Sequence, residues 1–244
     1  MSTRRVRLEA RVLRREHLTP HLVRLVVAGA DLALAASTGV PDEWVGLIVP
    51  GQFQTRFYTV RHWVEGEVTL DVVVHDAGLV TEWATGDCLG DAVVLTDPRG
   101  TFAPAPGTRW VRLVTDLTGL PATARILEWA SRQPDALPVQ VWAEVPEDVP
   151  GYLPKGTDVT WLSPPAPGES RLAEVVQAMT WPAQPGYFWM AGESAQMRAI
   201  RKHLSREVGL PSASYHVTGY WRRVVARQPR ATDPLRQRLR GGGS

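Results

Sequence analysis

Phe102-Ala103-Pro104-Ala105-Pro106-Gly107-Thr108 separates two unlike halves of the sequence, and the fold is read from that contrast. Two prolines and a glycine in so short a stretch leave little to bury and make a stiff, exposed connection. Upstream, apolar runs at 6–14, 22–27, 44–49, 54–60, 68–74 and 92–95 are each closed by turn residues. Val6, Leu8, Ala10 and Val12 alternate with Arg7, Glu9 and Arg11, and Val68, Leu70, Val72 and Val74 with Thr69, Asp71 and Val73. That two-residue period marks half-buried strands. Six short strands hide their edges best by closing on themselves, so residues 1–101 predict an antiparallel β-barrel, with one short helix around 79–84.

Downstream, the pattern alternates between strand and helix. Strands are expected at 110–115, 139–145, 159–162, 187–190 and 214–220, and helices at 120–130, 170–179 and 194–208. Alternating elements of these lengths predict an α/β domain over 109–223, a parallel sheet covered by helices. Residues 102–108 are then a linker. Residues 224–244 form an Arg-rich tail ending in Gly241-Gly242-Gly243-Ser244.

Composition removes several classes of function. No apolar run approaches the roughly 18 residues of a membrane span, and the basic N-terminus lacks the apolar core of a secretory signal. Cys88 is the single cysteine and the six histidines are scattered, so no disulfide framework, all-cysteine cluster or intrinsic metal site is expected. A cytoplasmic location is the expectation. The net charge of +2 conceals +5 over residues 1–30, +6 over 216–244 and −9 between them. Twenty-five of the 27 basic residues are Arg, but the acidic middle would repel a phosphate backbone and no nucleic-acid motif is present. Ten tryptophans are a surplus, and an aromatic pocket is one use for them.

A barrel followed by a parallel sheet is a recurrent layout for redox enzymes that hold two nucleotides. Arg56-Phe57-Tyr58-Thr59-Val60-Arg61 lies on a predicted strand, with Arg56, Tyr58 and Val60 on one face and Phe57, Thr59 and Arg61 on the other. A flavin dinucleotide needs a cation for its pyrophosphate, a flat surface for its ring and a polar group at the reactive edge. Arg, Tyr and Thr supply these in turn. Taken singly, the same residues also suit an amphipathic strand with exposed arginines. In the second half, Asp116, Thr118, Gly192 and Glu193 sit at turns between strand and helix, where a nicotinamide cofactor would approach, although no G-x-G-x-x-G fingerprint accompanies them. Tyr220, Trp221, Arg222 and Arg223 combine aromatic faces with fixed cations, a combination suited to a flat anionic substrate.

Arg56, Tyr58, Thr59 and Arg61 make this chain resemble the siderophore-interacting proteins, a bacterial branch of the ferredoxin-reductase-like flavoproteins. His75, Gly78 and Trp83 fall where that family has a His, a Gly-Pro-Ala run and a Trp near the flavin pyrophosphate. Val80 occupies the Ala position of the run, which reads Gly78-Leu79-Val80 here. Thr115–Ala122, Ala191-Gly192-Glu193 and Gly219-Tyr220-Trp221-Arg222-Arg223 are similar to later family segments, while the family's next Gly is Val224.

The resemblance implies FAD bound by Arg56, Tyr58, Thr59, Arg61, His75, Gly78, Val80 and Trp83. It also implies NADPH or NADH near Asp116, Thr118, Gly192 and Glu193, and a ferric siderophore near residues 220–223. Tyr58 and Thr59 would then be the catalytic pair, in an oxidoreductase that releases Fe(II). Two other readings stay open. The crowded Gly78-Leu79-Val80 turn and the surplus Trp suit a non-redox enzyme, such as a cyclase acting on a hydrophobic natural product. The weak nicotinamide signature suits a flavin module fed by ferredoxin.

Overall fold

A computed structural model describes residues 6–75, 78–133 and 137–223; the Arg-rich tail and Val224 lie outside them. Six antiparallel strands close into a barrel in the first half: β1 (Arg7–Thr19), β2 (Leu22–Ala28), β3 (Trp44–Ile48), β4 (Arg56–Val64), β5 (Glu67–Val73) and β6 (Ala92–Thr96). Their order around it is β1-β2-β5-β4-β3-β6. The alternating residues point as expected: Leu8, Ala10, Val12, Leu70 and Val72 are buried in one apolar cluster with Val23, Leu25, Val45, Leu47, Val60 and Leu95. Helix α1 (Ala30–Leu34) and helix α2 (Leu79–Thr85) cap this cluster through Leu32, Val80 and Ala84.

Two differences from the sequence reading have local causes. Strand β1 runs five residues past the expected end, because its pairing with β2 shifts between Val12 and Arg14. A bulge there leaves Leu13 exposed and breaks the alternation, which hides the continuation from a period-two reading. Helix α1 has only five residues, too few to show a helical period.

The second half is a parallel sheet of five strands in the order β11-β10-β7-β8-β9. They are β7 (Val111–Asp116), β8 (Val139–Glu144), β9 (Asp158–Leu162), β10 (Tyr187–Glu193) and β11 (Tyr215–Trp221). Helix α3 (Leu120–Ala130) covers one face, with Pro121 in its first turn where no helical N–H is lost. Helices α4 (Leu172–Gln177) and α5 (Met197–Arg206) cover the other, packing Leu172, Val176, Met197, Ile200 and Leu204 on Val114, Phe188 and Met190. Helices α4 and α5 are shorter than the expected 170–179 and 194–208 by a few residues at each end, where helices fray.

The connection at 102–108 is anchored at its first residue. Phe102 is buried edge-on between Trp129 of α3 and Tyr187 of β10, with ring centroids 5.1 and 5.2 Å away.

Candidate functional site

Strand β4 is exposed at its start and covered towards its end. Arg56 is exposed, its guanidinium steadied by Gln54 Oε1 at 2.8 Å. Tyr58 is half-buried against the barrel cluster. Burial pushes its phenol up to about 12, with Arg56 pulling the other way. Thr59 faces the second half of the molecule. It is 5% exposed and its Oγ1 is buried without a hydrogen-bond partner. The Tyr220 hydroxyl comes from the sheet side, and its interaction with Thr59 opposes the rise of the Tyr220 phenol. A buried hydroxyl with no partner is an uncommon cost in a folded protein and marks a place where a ligand would complete the pairing.

Arg61 lies elsewhere. It shares the outer face of β4 with Thr59, but α3 and the loop before β9 cover it. Its Nη2 donates to Glu128 Oε1 of α3 at 2.6 Å, and its guanidinium carbon sits 5.8 Å from the Tyr152 ring centre. The structure therefore does not bring Arg61 to the open face that Arg56 occupies; where the two halves meet, its Nη2 is paired with Glu128 while its Nε and Nη1 are buried without a hydrogen-bond partner. Alternation along the strand revealed which residues share its face, and carried no signal that a helix from the other half would cover it.

That contact between the halves is ionic and extensive. Arg125 of α3 donates to the Val60 carbonyl at 2.7 Å and to Glu43 Oε2 at 3.3 Å. Asp71, on the outside of β5, accepts both Arg24 donors at 2.8 Å and also the Tyr152 hydroxyl. Asp42 is a second hub, 1% exposed. It accepts from the Thr101 and Phe102 amides at 2.7 and 2.8 Å, the Thr101 hydroxyl at 2.6 Å and Trp189 Nε1 at 3.2 Å. The sequence reading missed Asp42, Asp71, Glu43 and Arg125. Buried acids on a strand or at a turn were the available signal.

Around α2, His75 is exposed and packs on Gly78, where a Cβ would approach its Cε1 to 2.8 Å. Leu79 points outward, while Val80 is buried in the barrel cluster. Trp83 Nε1 donates to Asp91 Oδ2 at 2.8 Å, so that indole fastens α2 to the barrel and its N–H is not free for a cofactor.

The carboxyl edge of the sheet gathers the remaining expected residues. Asp116 accepts from the Thr118 amide at 2.8 Å, the Thr118 hydroxyl and Trp221 Nε1 at 2.6 Å. Burial raises the Asp116 carboxyl above its ordinary value, and the Thr118 and Trp221 hydrogen bonds oppose that rise. Gly192 lies against Asp116: a Cβ there would stand 3.0 Å from its Oδ2. Glu193, also buried, accepts from the Ala195 amide at 2.6 Å and from the Arg223 amide at 3.4 Å. Asp116 and Glu193 thus clasp the 220–223 segment, a link between two groups that the sequence reading kept apart.

Residues 220–223 do not form one patch. Tyr220 turns inward, edge-on to Trp189 at 6.3 Å, and burial together with Asp42 raises its phenol strongly. Trp221 turns to Asp116. Arg222 is exposed, and Arg223 reaches Glu169 at 3.4 Å on the surface.

A closed antiparallel barrel whose outer face meets the carboxyl edge of a parallel sheet is the ferredoxin-reductase-like fold. An aromatic side chain beside an unpartnered hydroxyl, with an exposed cation at the strand start, fits FAD. Residues 51–102 match the siderophore-interacting FAD-binding domain and residues 108–224 the siderophore-interacting protein model. The chain belongs to the siderophore-interacting protein family. A siderophore utilization protein from T. fusca superposes with a TM-score of 0.76 at 26% identity, covering 92% of this chain and 96% of that one. The NADPH-dependent ferric-chelate reductase of Escherichia coli is 27% identical over 179 residues, 70% of this chain and 66% of its own. Ferric vibriobactin reductase ViuB of Vibrio cholerae is 25% identical over 246 residues, 86% of this chain and 88% of its own. These matches point to an oxidoreductase and favour neither a cyclase nor a ferredoxin-fed module. No described helix is long and apolar enough to cross a membrane.

Proposed function

We propose that this protein is a flavin-dependent reductase that takes electrons from NAD(P)H and delivers them to a ferric siderophore, releasing Fe(II). The observation that carries the reading is the Thr59 hydroxyl, buried and unpartnered between Tyr58 on the barrel and Tyr220 at the carboxyl edge of the sheet. In this reading a flavin edge and a nicotinamide meet there, outside the carboxyl ends of the parallel strands. When bound, FAD supplies the conversion of a two-electron hydride donor into one-electron reduction of iron.

The protein's own residues orient and shield. Tyr58 offers a ring face, and Thr59 donates its hydroxyl hydrogen at the reactive edge. Arg56, exposed and steadied by Gln54, holds the pyrophosphate with the amide of Gly78 beside His75. Arg61 instead fastens α3 against the barrel, and Val80 and Trp83 seat α2. Gly192 lets the nicotinamide approach the backbone, beside the buried carboxylates of Asp116 and Glu193 and the Thr118 turn. Tyr220 closes the cleft from the sheet side. Arg222 and Arg223 draw the anionic ferric complex towards it.

The test is an absorbance titration followed by turnover. Purified protein should bind FAD, NADPH or NADH should bleach the flavin bands, and a ferrous trap should colour only when ferric siderophore is present. Thr59→Ala should slow reduction by about tenfold or more while Thr59→Ser restores it, as for removal of a preorganised donor. Protein that binds no FAD would overturn the reading, and flavin that reduced ferredoxin alone can bleach would redirect it.

A further inference from the structure

The geometry points to a second ligand site, for a small planar carboxylate, at the amino edge of the parallel sheet. A groove of about 770 Å³ opens there, lined by Trp110, Arg112, Pro138, Gln140 and Pro182, with Arg109 at its rim. That volume suits a small organic ligand. Along β7, Arg112 precedes Asp116 by four residues, about 13 Å at the rise of a strand, so the groove stands apart from the carboxyl edge and its cofactor residues.

Arg112 makes the site. It is 9% exposed, and its guanidinium lies 5.5, 5.6 and 5.4 Å from the ring centres of Trp110, Trp142 and Trp181. Its one protein hydrogen bond runs from Nη1 to the Thr180 carbonyl, and no ion pair joins it to an acid among the described residues. Burial lowers its pKa, and no carboxylate offsets that effect. A buried cation without a counter-ion is costly. Three indole faces recover part of the cost and leave the charge unneutralised. The nearby acid, Asp158, is held by Gln140 Nε2 at 3.1 Å.

The wall chemistry selects the anion. Arg112 presents remaining donors in the fixed fork that a carboxylate matches. The Trp110 indole is pinned by its Nε1 bond to the Gln184 carbonyl at 2.8 Å, so a rigid apolar surface stands beside that fork. Pro138 and Pro182 extend this surface, and the Gln140 amide adds polar capacity. Asp158 on the same wall disfavours a polyanion. A ring bearing one carboxylate satisfies all of these, and the site does not depend on the redox reading.

Benzoate is the probe, titrated into the full chain by calorimetry and followed by tryptophan fluorescence. Saturable one-to-one binding is expected, with inorganic phosphate and cyclohexylamine at least tenfold weaker. Arg112→Lys should weaken benzoate at least tenfold, because an ammonium lacks the stacked fork. Arg109 is exposed, so Arg109→Ala keeps the fold and should weaken binding severalfold, more at low salt than at high salt. Absence of saturable binding, equal affinity for phosphate, or unchanged affinity in Arg109→Ala would each overturn the proposal, whether or not Arg112→Lys folds.

Discussion

Asp42 is the side chain whose removal should most clearly uncouple the two halves. Its carboxylate, carried by the first half, holds four donors from two directions: three from the chain connection at Thr101 and Phe102, and one from the sheet at Trp189. Asp42→Ala strands these donors unequally. Thr101 is exposed and its hydroxyl keeps His216 Nε2 at 3.0 Å, so its loss is partial. The Phe102 amide and the Trp189 indole N–H belong to buried residues and have no alternative acceptor in the network. Each unsatisfied buried donor costs about 1–3 kcal/mol, so the substitution should destabilise the protein by about 2–6 kcal/mol. That is a large share of the roughly 5–15 kcal/mol that holds a domain together. Urea unfolding followed by far-ultraviolet circular dichroism measures it, and the transition should also broaden or split as the sheet loses its tie to the barrel. Asp42→Asn keeps one acceptor and should fall between the two. A loss below about 1 kcal/mol for Asp42→Ala would refute the reasoning, since the smallest expected penalty for two stranded donors exceeds it.

The exposed Arg223–Glu169 pair, at 3.4 Å and about half accessible on both sides, gives the opposite expectation: Glu169→Ala should leave the urea midpoint nearly unchanged. Arg222→Ala should slow reduction of an anionic ferric siderophore at low ionic strength and converge with wild type as salt is added, measured as kcat/KM against ionic strength. Gly119→Ala should destabilise by about 1–3 kcal/mol, because a Cβ there would fall 2.2 Å from Thr115 Oγ1 and 2.9 Å from Ala191 Cβ, both in the packed turn. Asp116 has a carboxyl pKa raised in the folded state, so the folded protein holds its proton more tightly than the unfolded chain. Its contribution should therefore decline as pH rises from the ordinary carboxylate value through the raised one; a stability–pH profile that is no flatter in Asp116→Asn would contradict this.

Most of the element order was legible because both halves depend on short-range periodicity. Alternation exposed the barrel strands, and helix α3 showed its 3.6-residue period and its early Pro121. The places where legibility failed are places where tertiary contact decides. Strand β4 shows the division. Arg56 and Arg61 are five residues apart and chemically alike, yet one is exposed beside Gln54 and the other lies under α3 against Glu128 and Tyr152. No local pattern separates them, since the covering residues are more than sixty positions away in sequence. The 220–223 segment shows it again, because its residues find their partners at Asp116, Trp189 and Glu169 across the sheet.

The tryptophan surplus resolves by the same logic, and its distribution bears on what the molecule does. Trp63 and Trp83 pack on the barrel, while Trp129 braces Phe102 and Trp189 ties Asp42 to Tyr220, and the last two serve the contact between the halves. Trp110, Trp142 and Trp181 instead surround one guanidinium at the far edge of the sheet. A cluster needed only to fill space would be cheaper with an aliphatic residue at position 112, because a buried ionic group is commonly less stabilising than a well-packed apolar one of similar size. Arg112→Met supplies the comparison. If the arginine serves only packing, benzoate should stabilise neither wild type nor the methionine variant. If the arginine is kept for an anion, that variant should match or exceed wild type in the absence of benzoate and gain nothing when benzoate is added, whereas wild type should be stabilised by ligand in proportion to its saturation.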